Sequence, residues 1–194
     1  DRDYFIKSAR GKIISWHGFT YFYSYFDKIR KNIIAEEGYA PKLTLNIRAD
    51  EFVKELSGSL DYCFRLFEQK IASEFANGDE IAWHNHQWRH ENNQWIQEME
   101  DENWIEKNIR QSYEAIKNYN ITTLHAGWCF QNAFSMNVYS DLGIKIDYSG
   151  LPKMFKLSGE RNKYDWRFLQ NNKIYIPSRH DYQKEDKFGK NKIL

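Results

Sequence analysis

Two hydrophobic periods take turns along this chain, and that alternation constrains its fold more than any other feature. Residues 20–37 place Phe22, Phe26, Ile29 and Ile33 three or four apart and stop at Gly38, which predicts an amphipathic helix with a glycine cap. Residues 42–47 then switch to a period of two, with Leu43, Leu45 and Ile47 on one side, as a strand requires. A second helix is expected from about residue 59, burying Leu60, Phe64, Phe67, Ile71 and Phe75 and ending at Asn77-Gly78. A strand over 80–84 follows, then a polar, Trp-rich loop to about Asp101. A third helix carries Ile105, Ile109, Tyr113 and Ile116. Further strands are expected over 122–126, 144–148 and 173–176, with a helix over 132–142 closed by Gly143. Helices that alternate with short strands predict an α/β fold with parallel strands, either a barrel or an open doubly wound sheet. The chain has neither GxGxxG nor GxxxxGK[ST], so no nucleotide-binding fingerprint supports the open sheet.

Length and composition set the outer bounds. The 194 residues suit a single domain spanning 1–194, with enough chain to bury a substantial core. Basic and acidic side chains number 28 and 27, so there is no cationic surplus of the kind that phosphate backbones demand. The lysine-rich stretch 184–192 is interrupted by Glu185 and Asp186, and no nucleic-acid partner is expected. No apolar run reaches the ~20 residues needed for a membrane span. No signal peptide opens the sequence as given, and Cys63 and Cys129 form no CxxC pair, which together favour a reducing, cytoplasmic setting. The sequence leaves the oligomeric state open.

Three of the six histidines fall within Trp83-His84-Asn85-His86-Gln87-Trp88-Arg89-His90. Neutral imidazole is the commonest ligand for divalent transition metals, and the cluster begins where a strand is expected to end. If strand geometry persists, His84 and His86 point the same way; if the chain turns helical, His86 and His90 share a face instead. Chemistry in parallel α/β folds gathers at the C-terminal ends of the strands. His125 and Asp147 stand near the ends of the next two, so the three strand ends are expected to face one mouth. At the amino end, Asp1-Arg2-Asp3 offers two carboxylates one residue apart, able to divide metal binding and proton transfer between them.

Several segments resemble the NodB-like polysaccharide deacetylases, carbohydrate esterase family 4. Gly78-Asp79-Glu80-Ile81-Ala82-Trp83-His84 is similar to the family's Gly-His-Glu-Ile-Gly-Asn-His segment. Leu124-His125-Ala126-Gly127-Trp128 resembles its arginine-bearing third motif, followed by Leu142-Gly143-Ile144 and Asp147-Tyr148-Ser149. Tyr164-Asp165-Trp166 resembles an aspartate/tryptophan motif. The resemblance implies a deformed (β/α) barrel of seven or fewer strands that removes an N- or O-acyl group, typically acetyl, from a carbohydrate. It implies a divalent metal, zinc before others, held by Asp3, His84 and a second histidine, with Asp1 as the base that activates water. The family's second histidine lies four residues after the first, a position held here by Trp88, so His86 is favoured to substitute and His90 is the alternative. His125 stands where the family has arginine, and the roles of orienter, proton donor and ligand are all open to it. A backbone N–H of the loop after His125 is expected to stabilise the oxyanion. Trp88, Trp128 and Trp166 are expected to wall the cleft, and Arg89 to pair with an acidic substrate group or with Asp147. The family's final Leu-x-His motif has no counterpart. Hydrolysis of a small amide or cyclic imide on the same scaffold, and a non-catalytic carbohydrate-binding relative, are the competing readings.

Overall fold

The computed structural model describes residues 17–157, 163–170, 173–186 and 192–194, with side chains from Tyr21 onward. The chain divides into two compact units, 1–43 and 44–194. Helix α1 (His17–Glu37) lies in the first. Phe22 and Phe26 stack along it with ring centroids 6.2 Å apart, and Arg30 lies 4.8 Å over the Phe26 ring. Gly38, at φ 73°, ends the helix in the left-handed conformation that the glycine predicted.

The second unit is mixed α/β. Its centre is a four-stranded parallel sheet of β1 (Thr44–Arg48), β2 (Glu80–His84), β5 (Thr123–Leu124) and β6 (Ile146–Asp147), paired in that order. Between β1 and β2 run three short helices, α2 (Glu51–Ser57), α3 (Tyr62–Leu66) and α4 (Glu68–Ala76). Helix α5 (Glu102–Ile116) leads to β5, and α6 (Ala133–Asp141) leads to β6. Helices α2, α5 and α6 begin on side-chain caps: Asp50 accepts from the Val53 N–H, Asp101 from the Trp104 N–H, and Asn132 and Ser135 form a reciprocal capping box. No helix among the described residues is long and apolar enough to cross a membrane.

The two faces of the sheet differ in chemistry. Leu45, Ile47, Ile81, Trp83 and Leu124 are all buried on one side, where the Trp83 indole meets Tyr113 of α5 at 5.9 Å and Tyr139 of α6 at 5.4 Å. With Ile105, Ile109 and Ile116 fully enclosed on α5, this side is the core, each large side chain contributing about 1.5–3 kcal/mol by burial. The other side carries Thr44, Asn46 and Arg48 from β1 and Glu80, Ala82 and His84 from β2, continuing to Thr123 on β5 and Ile146 on β6. That face is polar, unlike the apolar runs of parallel strands covered on both sides. Across it the Tyr148 hydroxyl donates to Asn46 Oδ1, joining the first strand to the end of the fourth. Strands so placed in a flat sheet would lie about 14 Å apart, so the sheet is strongly curved toward its polar side. Leu194 prolongs the ladder beside β6, its N–H bonding the Lys145 carbonyl and its carbonyl the Asp147 N–H, both at 2.7 Å.

The structure departs from the expected elements in several places, and adds the short helix α2. The helix expected from residue 59 is broken at Phe67 into α3 and α4, and Phe75 is 41% exposed. Residues 173–176 form no strand; β9 (Pro177–Ser178) pairs instead with β10 (Asp181–Glu185), and β7 (Phe155–Lys156) pairs with β8 (Tyr164–Asp165). The expected Trp-rich loop is an antiparallel hairpin, β3 (Trp88–Glu91) and β4 (Gln94–Gln97). Its turn residues Asn92 and Asn93 both have positive φ, 47° and 60°, which suits a two-residue hairpin turn and which asparagine tolerates better than most residues. Replacing Asn93 with valine is expected to cost about 1–2 kcal/mol, because a β-branched residue resists that conformation. Urea denaturation of N93V against the parent chain measures it.

Candidate active site at the strand ends

The C-terminal ends of the four strands bring a row of polar side chains to one edge of the polar face. Arg48 and His84 are direct register partners in β1 and β2. His125 follows at the end of β5, its Nδ1 3.2 Å from His84 Nδ1, and the Tyr148 ring lies 5.1 Å from the His125 ring. The row therefore runs Arg48, His84, His125, Tyr148 across four strands.

The ladder outlasts β2: the Gly127 N–H bonds the Asn85 carbonyl at 2.7 Å, so strand-like alternation carries on into residues 85–87. His84 and His86 fall on the same side, with ring centroids 4.7 Å apart, as the period of two requires. The intervening residues turn inward. Asn85 Nδ2 donates to the Ala49 carbonyl at 3.0 Å, and its Oδ1 accepts from Gln87 Nε2 and the Tyr139 hydroxyl at 2.6 and 2.9 Å. Asn108 Nδ2 reaches both the His86 carbonyl and Gln87 Oε1. This buried network fixes the backbone that presents the two histidines. The helical alternative is excluded, because His90 lies on β3, stacked 4.9 Å from Trp95 with its Nδ1 3.0 Å from Glu55.

His84 Nδ1 lies 2.7 Å from the His125 carbonyl oxygen. A carbonyl can only accept, so Nδ1 carries the proton and Nε2 keeps its lone pair. Metal-binding histidines are usually oriented in this way. Burial, then the proximity of His125 and Arg48, pushes the His84 pKa down to about 4. His86 is 7% exposed and its pKa is held well below the ordinary value, by burial first and the Arg48 guanidinium second. Its Nδ1 is buried with no hydrogen-bond partner. Burial also lowers the His125 pKa. All three imidazoles are neutral near pH 7.

Gly127 makes room for His86: a Cβ there would stand 2.2 Å from the imidazole Cγ. The next two residues, Trp128 and Cys129, both adopt positive φ, 57° and 56°. For a tryptophan this is a strained conformation of a kind that concentrates at functional sites. Among the backbone N–H groups of 126–130, those of Ala126, Gly127, Cys129 and Phe130 are engaged, and that of Trp128 is not among them. The Trp128 ring is 41% exposed and stacks on Trp88 at 6.3 Å and 12°. Trp166 is buried, its indole N–H donating to the Cys129 carbonyl at 2.8 Å, so it supports the strained turn from beneath.

Other residues expected at the site stand elsewhere. Asp147 pairs with Leu124 and so lies on the helix-facing side, away from the histidine row. Its carboxylate accepts from Gln131 Nε2 at 2.6 Å and from the Ser149 N–H at 2.9 Å, and burial raises its pKa against the pull of those bonds. Tyr148 takes the place at the mouth expected for Asp147. Arg89, on the hairpin, does not meet Asp147; it is held by Glu91, Glu98 and Asp101 at 2.6, 3.2 and 3.2 Å. Asp1 and Asp3 lie outside the described residues. Sequence reasoning missed Arg48 and Asp50, although both flank the end of β1, where the strand-end rule points. Asp50 is fully buried; Oδ2 accepts from Arg48 Nε at 2.6 Å and the His86 N–H at 3.3 Å.

Two nitrogen donors, His84 Nε2 and the His86 ring, suit a divalent metal. Among the described residues no three His, Cys, Asp or Glu side chains are grouped to hold one. No protein-family model, curated protein or solved structure matches the chain.

Two outcomes follow from this geometry. Gly127→Ala is expected to displace the His86 ring and cost about 1–3 kcal/mol, measurable by denaturation and by imidazole NMR shifts. The unfolded chain, with histidine near its ordinary 6.5, binds protons that folded His84 refuses down to about pH 4, so stability falls as pH drops through that window. In chelator-treated protein His84 contributes a loss of about 3 kcal/mol. Denaturation at pH 7, 5.5 and 4 should show the steeper slope in the parent chain than in H84N.

Proposed function

We propose that the chain is a metal-dependent hydrolase that removes an acyl group, acetyl first among them, from a carbohydrate, on a β/α barrel of which the curved parallel sheet is part. One observation carries the reading: the His84 Nδ1–H bond to the His125 carbonyl, which leaves Nε2 available beside neutral, unpaired His86 at the strand ends. His84 and His86 would hold the metal, zinc in preference, and the family resemblance assigns the oxygen donor to Asp3 and the base to Asp1. A metal held there would supply Lewis-acid chemistry, polarising the acyl carbonyl and making water more acidic.

The rest of the work falls to the chain. His125, neutral and half-buried, would take over the proton that Asp1 removes from water and deliver it to the leaving amine or alcohol. The Trp128 N–H is the amide of the 126–130 turn left to meet a developing oxyanion. The exposed Trp128 ring, stiffened by Trp88, presents a flat face for a sugar. A second reading, hydrolysis of a small amide or cyclic imide without the full metal set, is favoured by one observation: both Asp50 oxygens are already engaged at the place where an oxygen ligand would be convenient.

Metal analysis and substrate assays separate these readings. Expected are one equivalent of divalent metal, acetate release from N-acetylglucosamine oligomers or acetylated xylan, and loss of both in His84→Ala. Metal-free protein that opens hydantoin-type rings supports the second reading. Sugar binding with neither metal nor turnover leaves a binding relative and overturns both.

A further inference from the structure

We propose that Arg48 anchors a carboxylate of the substrate at this same rim, so that the sugar acted on is an acidic one; the inference rests on the carbohydrate reading above. The β1–β2 register sets Arg48 directly beside His84. Its Nε is committed to Asp50, and two adjoining aromatic rings pack against it, with Cζ 4.8 Å from the Phe52 centroid and 5.4 Å from that of Trp88. Arg48 Nη2 is nevertheless buried without a partner. An unmade bond from a guanidinium is among the costlier omissions a protein can carry, and it points to an acceptor supplied from outside.

The chain's nearest carboxylate has no capacity to fill that role. Asp50 Oδ1 accepts from the Val53 N–H at 3.0 Å, and Oδ2 is shared between Arg48 Nε and the His86 N–H. A second orphan lies close by: His86 Nδ1 is also buried and unpartnered, on a ring 5.2 Å from the same Trp88. The arginine side chain as a whole is 26% exposed although Nη2 itself is buried, so a ligand would enter along the exposed part of the side chain and displace its neighbours to meet Nη2. A planar, preoriented guanidinium edge matches a planar carboxylate. Arg89, the arginine expected to meet an acidic group, is already held by three carboxylates, and the role passes to Arg48.

The test is calorimetric titration of chelator-treated protein with D-glucuronate, methyl D-glucuronate ester and inorganic phosphate. Expected is binding of glucuronate at least about tenfold tighter than of the neutral ester. Arg48→Lys, which keeps the charge and removes the fork, should weaken glucuronate by a similar factor. The double variant R48Q/D50N, which removes the ion pair without leaving Asp50 alone, should abolish the preference with an unchanged circular dichroism spectrum. Equal binding of acid and ester, no binding at all, or glucuronate affinity unchanged in a folded variant overturns the proposal. Tighter binding of phosphate overturns the assignment to a carboxylate. Should the double variant not fold, the Arg48→Lys titration decides alone. The titration needs neither metal nor turnover, so absence of acetate release sinks the hydrolase reading and leaves this measurement intact, and the reverse holds equally.

Discussion

One carbonyl group sets the terms for the rest of the site. The Ala49 oxygen, just past the end of β1, accepts from both the Trp83 indole at 2.9 Å and Asn85 Nδ2 at 3.0 Å, the two residues that bracket His84. These bonds hold β2 in register with β1. Because side chains alternate, a slip by one residue would send Trp83 and Asn85 to the polar face and drive His84 and His86 into the core. The pairing of Arg48 with His84, the approach of His125 and the solvent-facing rim all follow from that register. Asn85 is thereby a positioning residue, and the asparagine between the two histidines has a reason to be polar although it is buried.

A second constraint is steric. His86 occupies the volume where any residue but glycine at 127 would place a Cβ, so the third strand's exit is forced close over the second's. The chain then reverses through two consecutive left-handed residues, neither of them glycine. Each such residue costs on the order of 1 kcal/mol or more, and persists only where the surroundings overdetermine it. Here the Trp166 indole bonds the Cys129 carbonyl, Ser149 Oγ accepts the Ala126 N–H at 2.6 Å, and the Trp128 ring rests on Trp88. Strain that is held this carefully exposes an aromatic face and a backbone donor at the same point on the rim.

The parts legible in the sequence were those governed by period. Helices α1 and α5 and strands β1 and β2 carry long or clean repeats, α6 is marked by the glycine that follows it, and the co-facing of His84 and His86 needs only a count of two. The hairpin at 88–97 was read as a loop because its turn is Asn-Asn rather than Asn-Gly and its aromatic alternation resembles a patch of scattered tryptophans. Asp147 was expected at the mouth, yet parity assigns it to the other face; the neighbouring tyrosine takes that place. The family resemblance points to Asp1 and Asp3 for the carboxylates, and so away from Asp50 and Arg48. Applied to β1 itself, the strand-end rule would have found both. The Asp50 cap and Gly58 also marked α2, a helix too short for its periodicity to stand out.

The charges at the rim explain why a cation and an anion need not exclude one another there. Side chains on adjacent strands stand within about 5 Å, where two unit charges at an effective dielectric of ~20 interact by about 3 kcal/mol. A bare arginine beside His84 would oppose a divalent cation by roughly twice that amount. Asp50, bonded to Arg48 Nε, cancels most of that opposition and leaves a neutral pair whose far edge still lacks an acceptor. A substrate carboxylate on that edge would add negative charge near the two histidines and would favour a cation between them. By linkage the cation then favours the carboxylate to the same extent. If the proposed metal and substrate carboxylate both bind, the pair Arg48–Asp50 would be a charge-neutral support that lets them strengthen each other, a role that neither residue could fill without the other.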